Sequence, residues 1–79
     1  MNLLNKIDNG INDLKNDILF QEIILESIQF LNLTDKEFAQ QIKISRPTVT
    51  RWKNGNSSPH FLMRIGIYTW IKNKLQNKE

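Results

Sequence analysis

Between Ile44 and Pro59 the chain reads ISRPTVTRWKNGNSSP, with two Arg, one Lys and three hydroxyl side chains ahead of its first Gly and a Trp among them. Guanidinium groups are forked donors that match guanine edges and phosphate oxygens, and hydroxyls donate or accept as the partner requires. On a helix turning about 100° per residue, Val49 and Trp52 fall on one side. Pro47, Thr50, Arg51 and Asn54 fall opposite, flanked by Arg46 and Lys53. Trp52 is then the inward anchor of a helix whose other face is polar and basic. Eight residues make a helix about 12 Å long, and a B-DNA major groove is about 12 Å wide. The outward face offers a fork in Arg51, a hydroxyl in Thr50 and the apolar ring of Pro47, which suits a thymine methyl.

No other stretch suggests reaction chemistry. His60 is the only His, in the first turn of an expected helix, and no second ligand stands at metal-binding spacing. It reads as a surface residue or a minor phosphate contact. Glu22 and Glu26 lie one turn apart and read as a solvated helix face. No Gly-rich phosphate loop, nucleophile setting or carboxylate pair is visible, so neither an enzyme, a cofactor nor a metal is expected. The chain has 79 residues and no Cys, which points to one small domain that neither disulfides nor thiolate metal sites stabilise, so oligomerisation is the remaining common remedy. There is no signal-peptide pattern and no apolar run near the ~18 residues of a membrane span, which leads us to expect a soluble cytoplasmic protein without a membrane partner.

The net charge of +3 conceals an asymmetry: residues 1–37 sum to −4 and residues 38–79 to +7. A basic half on a small domain favours a polyanionic partner. Within it, Lys72, Lys74 and Lys78 read as solvated charges.

Helices must position these groups. Leu4, Ile7, Ile11, Leu14 and Ile18 form a narrow stripe, interrupted at Asn9-Gly10. Either one helix tolerates Gly10 or two pieces meet there. From Ile18 to Leu33 apolar residues cover most of a helix circumference, including Leu19, Phe20, Ile23, Ile24, Leu25, Ile28, Phe30 and Leu31, which predicts a largely buried helix that does not run far past Leu31. Thr34 with Glu37 forms a capping box for the next helix, whose inward residues are Phe38, Ala39 and Ile42. Ser45 and Pro47 suit the following helix start, and Asn54-Gly55 its end. Ser58-Pro59 predicts the start of a last helix running towards Leu75. There Phe61, Ile65, Tyr68 and Leu75 share one face, edged by Leu62 and Ile71, while Met63, Ile67 and Trp70 recur on nearly the opposite face. The second stripe is either ordinary core or a subunit interface.

The run LTDKEFAQQIKISRPTVTRWKNGNSSP, from Leu33 to Pro59, resembles the helix-turn-helix of the lambda repressor and Cro-like (XRE-type) DNA-binding family. The capping box, Phe38-Ala39, Ile44-Ser45, Val49, Trp52, Gly55 and Pro59 fall at that family's spacings. The resemblance implies that Arg46, Pro47, Thr50 and Arg51 read bases. It also implies that Ser45, Thr48, Lys53 and Asn54, with Thr34 and Lys36 at the preceding helix start, hold phosphates. Three positions depart from the pattern: Lys43 stands at a turn position that is usually Gly, Asp35 where a phosphate-binding Gln is common, and Lys53 where an acid is common. The usual fifth helix is absent or fused into the fourth, and an N-terminal segment is added.

The expectation is an all-α domain of about five helices, with residues 1–17 as an N-terminal helical extension and residues 18–79 as the helix-turn-helix domain, its recognition helix at 45–54. Its expected function is that of a sequence-specific transcriptional regulator, a repressor or autoregulator, binding double-stranded DNA as a homodimer. Met63, Ile67 and Trp70, or Leu4 and Ile7, are the candidate dimer contacts. The alternative is an antitoxin or protein-interaction module whose N-terminal helix binds a partner protein.

Overall fold

Asparagine is spread through the sequence, and the fold uses it at helix ends. In a computed structural model that describes residues 2–77, five helices and no strand are present among those residues. They are α1 (Leu3–Ile11), α2 (Asp17–Leu31), α3 (Asp35–Ile42), α4 (Arg46–Lys53) and α5 (Phe61–Gln76). Lys78, whose charge the sequence reading treats as solvated, lies outside the described residues. The Asn2 and Asn16 side chains accept the first free N–H groups of α1 and α2, from Asn5 and Leu19. Asn12, Asn32, Asn54 and Asn77 cap the C-termini of α1, α2, α4 and α5. An Asn side chain is a short acceptor for an N-cap, and Asn tolerates the left-handed conformation that Asn32 adopts at φ 57°.

The chain is all-α, and α2 lies at its centre, packed against α1, α4 and α5. Its buried stripe is Phe20, Ile23, Ile24, Ser27 and Ile28, spaced three and four residues apart. The expected extent of burial is corrected at its ends: Ile18 is 70% exposed and Phe30 59%, because the neighbouring helices cover the stripe and leave the terminal turns open. α1 includes Gly10 but ends one residue later at Ile11, so the stripe from Leu4 to Ile18 is divided between α1, the turn that follows it and the start of α2. A β-carbon on Gly10 would stand 2.8 Å from Ile23 Cδ1 and 3.0 Å from the Tyr68 ring, so glycine allows α1 to lie close on α2 and α5.

The N-terminal segment is therefore not an appended extension. Ile7 is fully buried in the same core as Phe20, Phe38, Trp52, Tyr68 and Ile71, which removes it from the candidate dimer contacts. Ion pairs reinforce this docking. Lys6 bridges Glu22 and Glu26, and Lys72 reaches Asp8 at 2.8 Å, so none of these charges is simply solvated. The hydrogen bond to Glu26 is the main reason that the Lys6 ammonium titrates above its ordinary value.

α5 is turned away from the face expected of it. Its buried line is Arg64, Ile67, Tyr68 and Ile71, while Leu62 (61%) and Ile65 (43%) are exposed. Its N-cap is His60, whose Nδ1 accepts from Leu62 N–H, so the helix begins two residues later than Ser58-Pro59 predicts.

Two features of this frame are open to test. Lys43 holds φ 63° at the end of α3, a conformation costing a side-chain-bearing residue about 1–2 kcal/mol. Lys43→Gly removes that strain at some cost in unfolded-chain entropy, and thermal melting should show a net gain of roughly 0.5–1 kcal/mol. A lower melting temperature would show that the strain is absent. The second feature is Tyr68, the only tyrosine. Burial pushes its phenol up from 10.0 to about 12, and its hydroxyl has no protein partner. The unfolded chain loses this proton first, so the stability it contributes is intact below pH 10 and falls by about 1.4 kcal/mol per pH unit between roughly 10 and 12. Tyr68→Phe should flatten that alkaline edge in denaturant titrations and be no less stable at pH 7. An unchanged alkaline edge in the Phe variant would assign the transition to another group.

Candidate nucleic-acid interface

α3 and α4 form a helix, a three-residue turn and a second helix. The capping box opens α3: Glu37 N–H donates to Thr34 Oγ1 at 3.0 Å and Thr34 N–H to Glu37 Oε1 at 2.8 Å. Lys43 makes the left-handed turn, and Ile44 N–H donates to Ala39 carbonyl at 3.0 Å. Ser45 caps α4, and Pro47 occupies its first turn. At the far end Gly55 takes φ 76° and Asn56 N–H donates back to Arg51 carbonyl at 2.9 Å, a Schellman closure.

Packing sets the facing of α4. Val49 is fully buried and Trp52 is 4% exposed. The Trp52 ring meets Phe20 of α2 edge-on, with centroids 5.4 Å apart. Gln21 of α2 donates through Nε2 to the Lys53 carbonyl at 2.9 Å, which fixes the C-terminal end of α4. With one side so anchored, Arg46, Pro47, Thr50 and Arg51 are exposed together and line one shallow depression. The structure thus brings the four expected base-reading residues onto one surface.

The expected phosphate contacts are distributed differently. Ser45 Oγ and Thr48 Oγ1 lie 2.7 Å apart, and Arg51 Nη2 donates to Thr48 Oγ1 at 3.3 Å, which lays the guanidinium along the helix. Lys36 and Asn54 are exposed, and Thr34 is exposed with its hydroxyl in the capping box. Lys53 is partly buried, and its ammonium lies 2.7 Å from Asp35 Oδ1. A free cation at this position is therefore corrected to a paired one.

Arg64 is the residue that sequence reasoning missed. It counted as one of the basic half's charges, yet it is 4% exposed. Its Nε and Nη2 donate to Pro59 carbonyl at 3.0 and 2.9 Å, Nη1 donates to Leu14 carbonyl at 2.9 Å, and Nη2 meets Asp17 Oδ1 at 2.6 Å. This guanidinium ties the loop after α4 to the loop after α1. Its only sequence signal is its phase with Ile67, Tyr68 and Ile71, easily overlooked because a charged residue occupies the buried line.

The expected interface stripe on α5 is split. Met63 is 54% exposed, Ile67 is in the core at 8%, and Trp70 is half-buried with its ring edge-on to Phe38 at 5.7 Å. Ile67 is thereby removed from the dimer candidates, because the turn of α5 that buries Arg64 and Tyr68 carries it inward. Met63, Ile42, Gly66 and Trp70 still line an apolar depression. Leu4 is half-buried. Among the described residues, no helix is long and apolar enough to cross a membrane. No family model, curated protein or solved structure matches this chain.

Proposed function

We propose that this chain is a cytoplasmic, sequence-specific DNA-binding regulator that places α4 in the major groove of duplex DNA, in the manner of the lambda repressor and Cro-like family it resembles. One observation carries the reading. A capped helix of eight residues, about 12 Å long, presents Arg46, Pro47, Thr50 and Arg51 outward from an anchor of Val49 and Trp52. α4 contains no acidic residue that would repel phosphates. Occupancy of an operator is the simplest mode of repression for so small a protein. A homodimer is the reading that the exposed α5 surface favours, with Leu62, Met63 and Ile65 open to a second copy. The partner-protein alternative would have to do without Ile7, which lies in the core.

Selecting bound sites from random duplexes and titrating the preferred one tests the function. Binding should weaken with salt, with a slope near −0.9 per phosphate neutralised. Arg51→Ala should lose about 1–3 kcal/mol of discrimination at one base position and keep most non-specific binding. Salt-independent binding, or no duplex binding at all, would overturn the reading. Equal loss on specific and random duplexes would make Arg51 a phosphate clamp.

Light scattering tests the interface separately. Met63→Glu should give a folded monomer, whereas Ile7→Glu, which buries a charge in the core, should unfold the chain. A folded Ile7→Glu variant would contradict the core assignment, and a dimeric Met63→Glu variant would move the interface elsewhere.

A further inference from the structure

Asp35 is the first residue of α3, and it reaches across to α4 with both carboxylate oxygens. Oδ1 lies 2.7 Å from Lys53 Nζ, and Oδ2 lies 3.2 Å from Thr50 Oγ1, whose single proton is shared with the Arg46 carbonyl at the same distance. The Lys53 and Asp35 side chains are only 28% and 23% exposed, so the pair is partly withdrawn from solvent. An ammonium held against an anionic oxygen is also how a protein holds a non-bridging oxygen of a phosphodiester. Arg46 and Arg51, on the same surface of α4, have no acidic partner among the described residues.

We propose that Asp35 is an internal competitor for backbone phosphate. It occupies Lys53 in the free protein and must be displaced before Lys53 engages DNA. This rests on the DNA-binding reading above. The contact at Lys53 is then an exchange of one ion pair for another. The released carboxylate cancels the gain, so the site adds little to affinity for DNA of arbitrary sequence. Arg46 and Arg51 have no carboxylate to displace, so the device lowers non-specific binding relative to base-directed binding.

The test compares the wild type with Asp35→Asn, Lys53→Met and the double variant, by fluorescence anisotropy on a labelled random-sequence duplex across a salt series. Asn keeps an acceptor for Thr50 while freeing Lys53. Asp35→Ser, also suited to a helix's first turn, serves as a second form. Circular dichroism establishes that each protein is folded. Asp35→Asn should bind more tightly and steepen the salt slope by about 0.9, which adds roughly threefold to the affinity lost between about 50 and 200 mM salt. Adding Lys53→Met should return the slope to the wild-type value. An unchanged slope in both folded Asp35 variants overturns the proposal, as does a steep slope that survives in the double variant. If wild-type binding is salt-dependent in either case, the DNA-binding reading stands without the proposal. If the wild type does not bind duplex DNA, that reading falls and takes the proposal with it.

Discussion

The Arg64 guanidinium is the constraint on which the arrangement depends. A buried cation is tolerated only when its donors are satisfied, and Arg64 satisfies its own on Leu14 and Pro59 carbonyls, Ser58 Oγ and Asp17. Those partners lie on the α1–α2 loop, the start of α2 and the loop that follows α4. The same guanidinium lies over the Phe20 ring at 5.1 Å, and Phe20 meets Trp52. A continuous contact therefore runs from α5 through α2 to the inner face of α4. A lysine could not replace it, because a point charge cannot serve carbonyls on two loops from one planar fork.

This dependence explains how so short a helix can be a reliable platform. An isolated helix of eight residues is marginal in water, so the stability of α4 comes from its surroundings. Ser45 closes its first turn, Gly55 and Asn56 close its last, and Gln21 takes the Lys53 carbonyl. Trp52 supplies the large apolar area that holds it in place. Its outward side chains thus add their chemistry to a surface whose orientation is already set.

The charges follow the same logic. Acidic residues of the N-terminal half pair with bases across helix boundaries: Asp8 with Lys72, Asp17 with Arg64, Asp35 with Lys53. These pairings draw much of the basic half's charge into structure. Arg46, Arg51, Lys43 and Lys74 stay exposed and without acidic partners among the described residues, and the first two lie on the outward face of α4. The contrast between halves that composition reveals is thus partly a record of internal ion pairing.

Local physics made much of this legible in advance. The Thr34–Glu37 capping box, the Ser45 cap, the inward phase of Val49 and Trp52 and the left-handed Gly55 depend on neighbours within one turn, and residue order alone determines such interactions. Grouping Arg46, Pro47, Thr50 and Arg51 on one face needed only helical periodicity. The burial of Ile7, Arg64 and Ile67, the exposure of Ile18, Phe30 and Ile65, and the pairing of Lys53 with Asp35 were not legible. Each depends on which neighbour lies against a helix and at what rotation. An α5 with apolar residues on every side has no preferred inward face of its own. The need to satisfy Arg64 on two loops, and to seat Tyr68 against Gly10, chose the face, and those partners meet only in the folded chain.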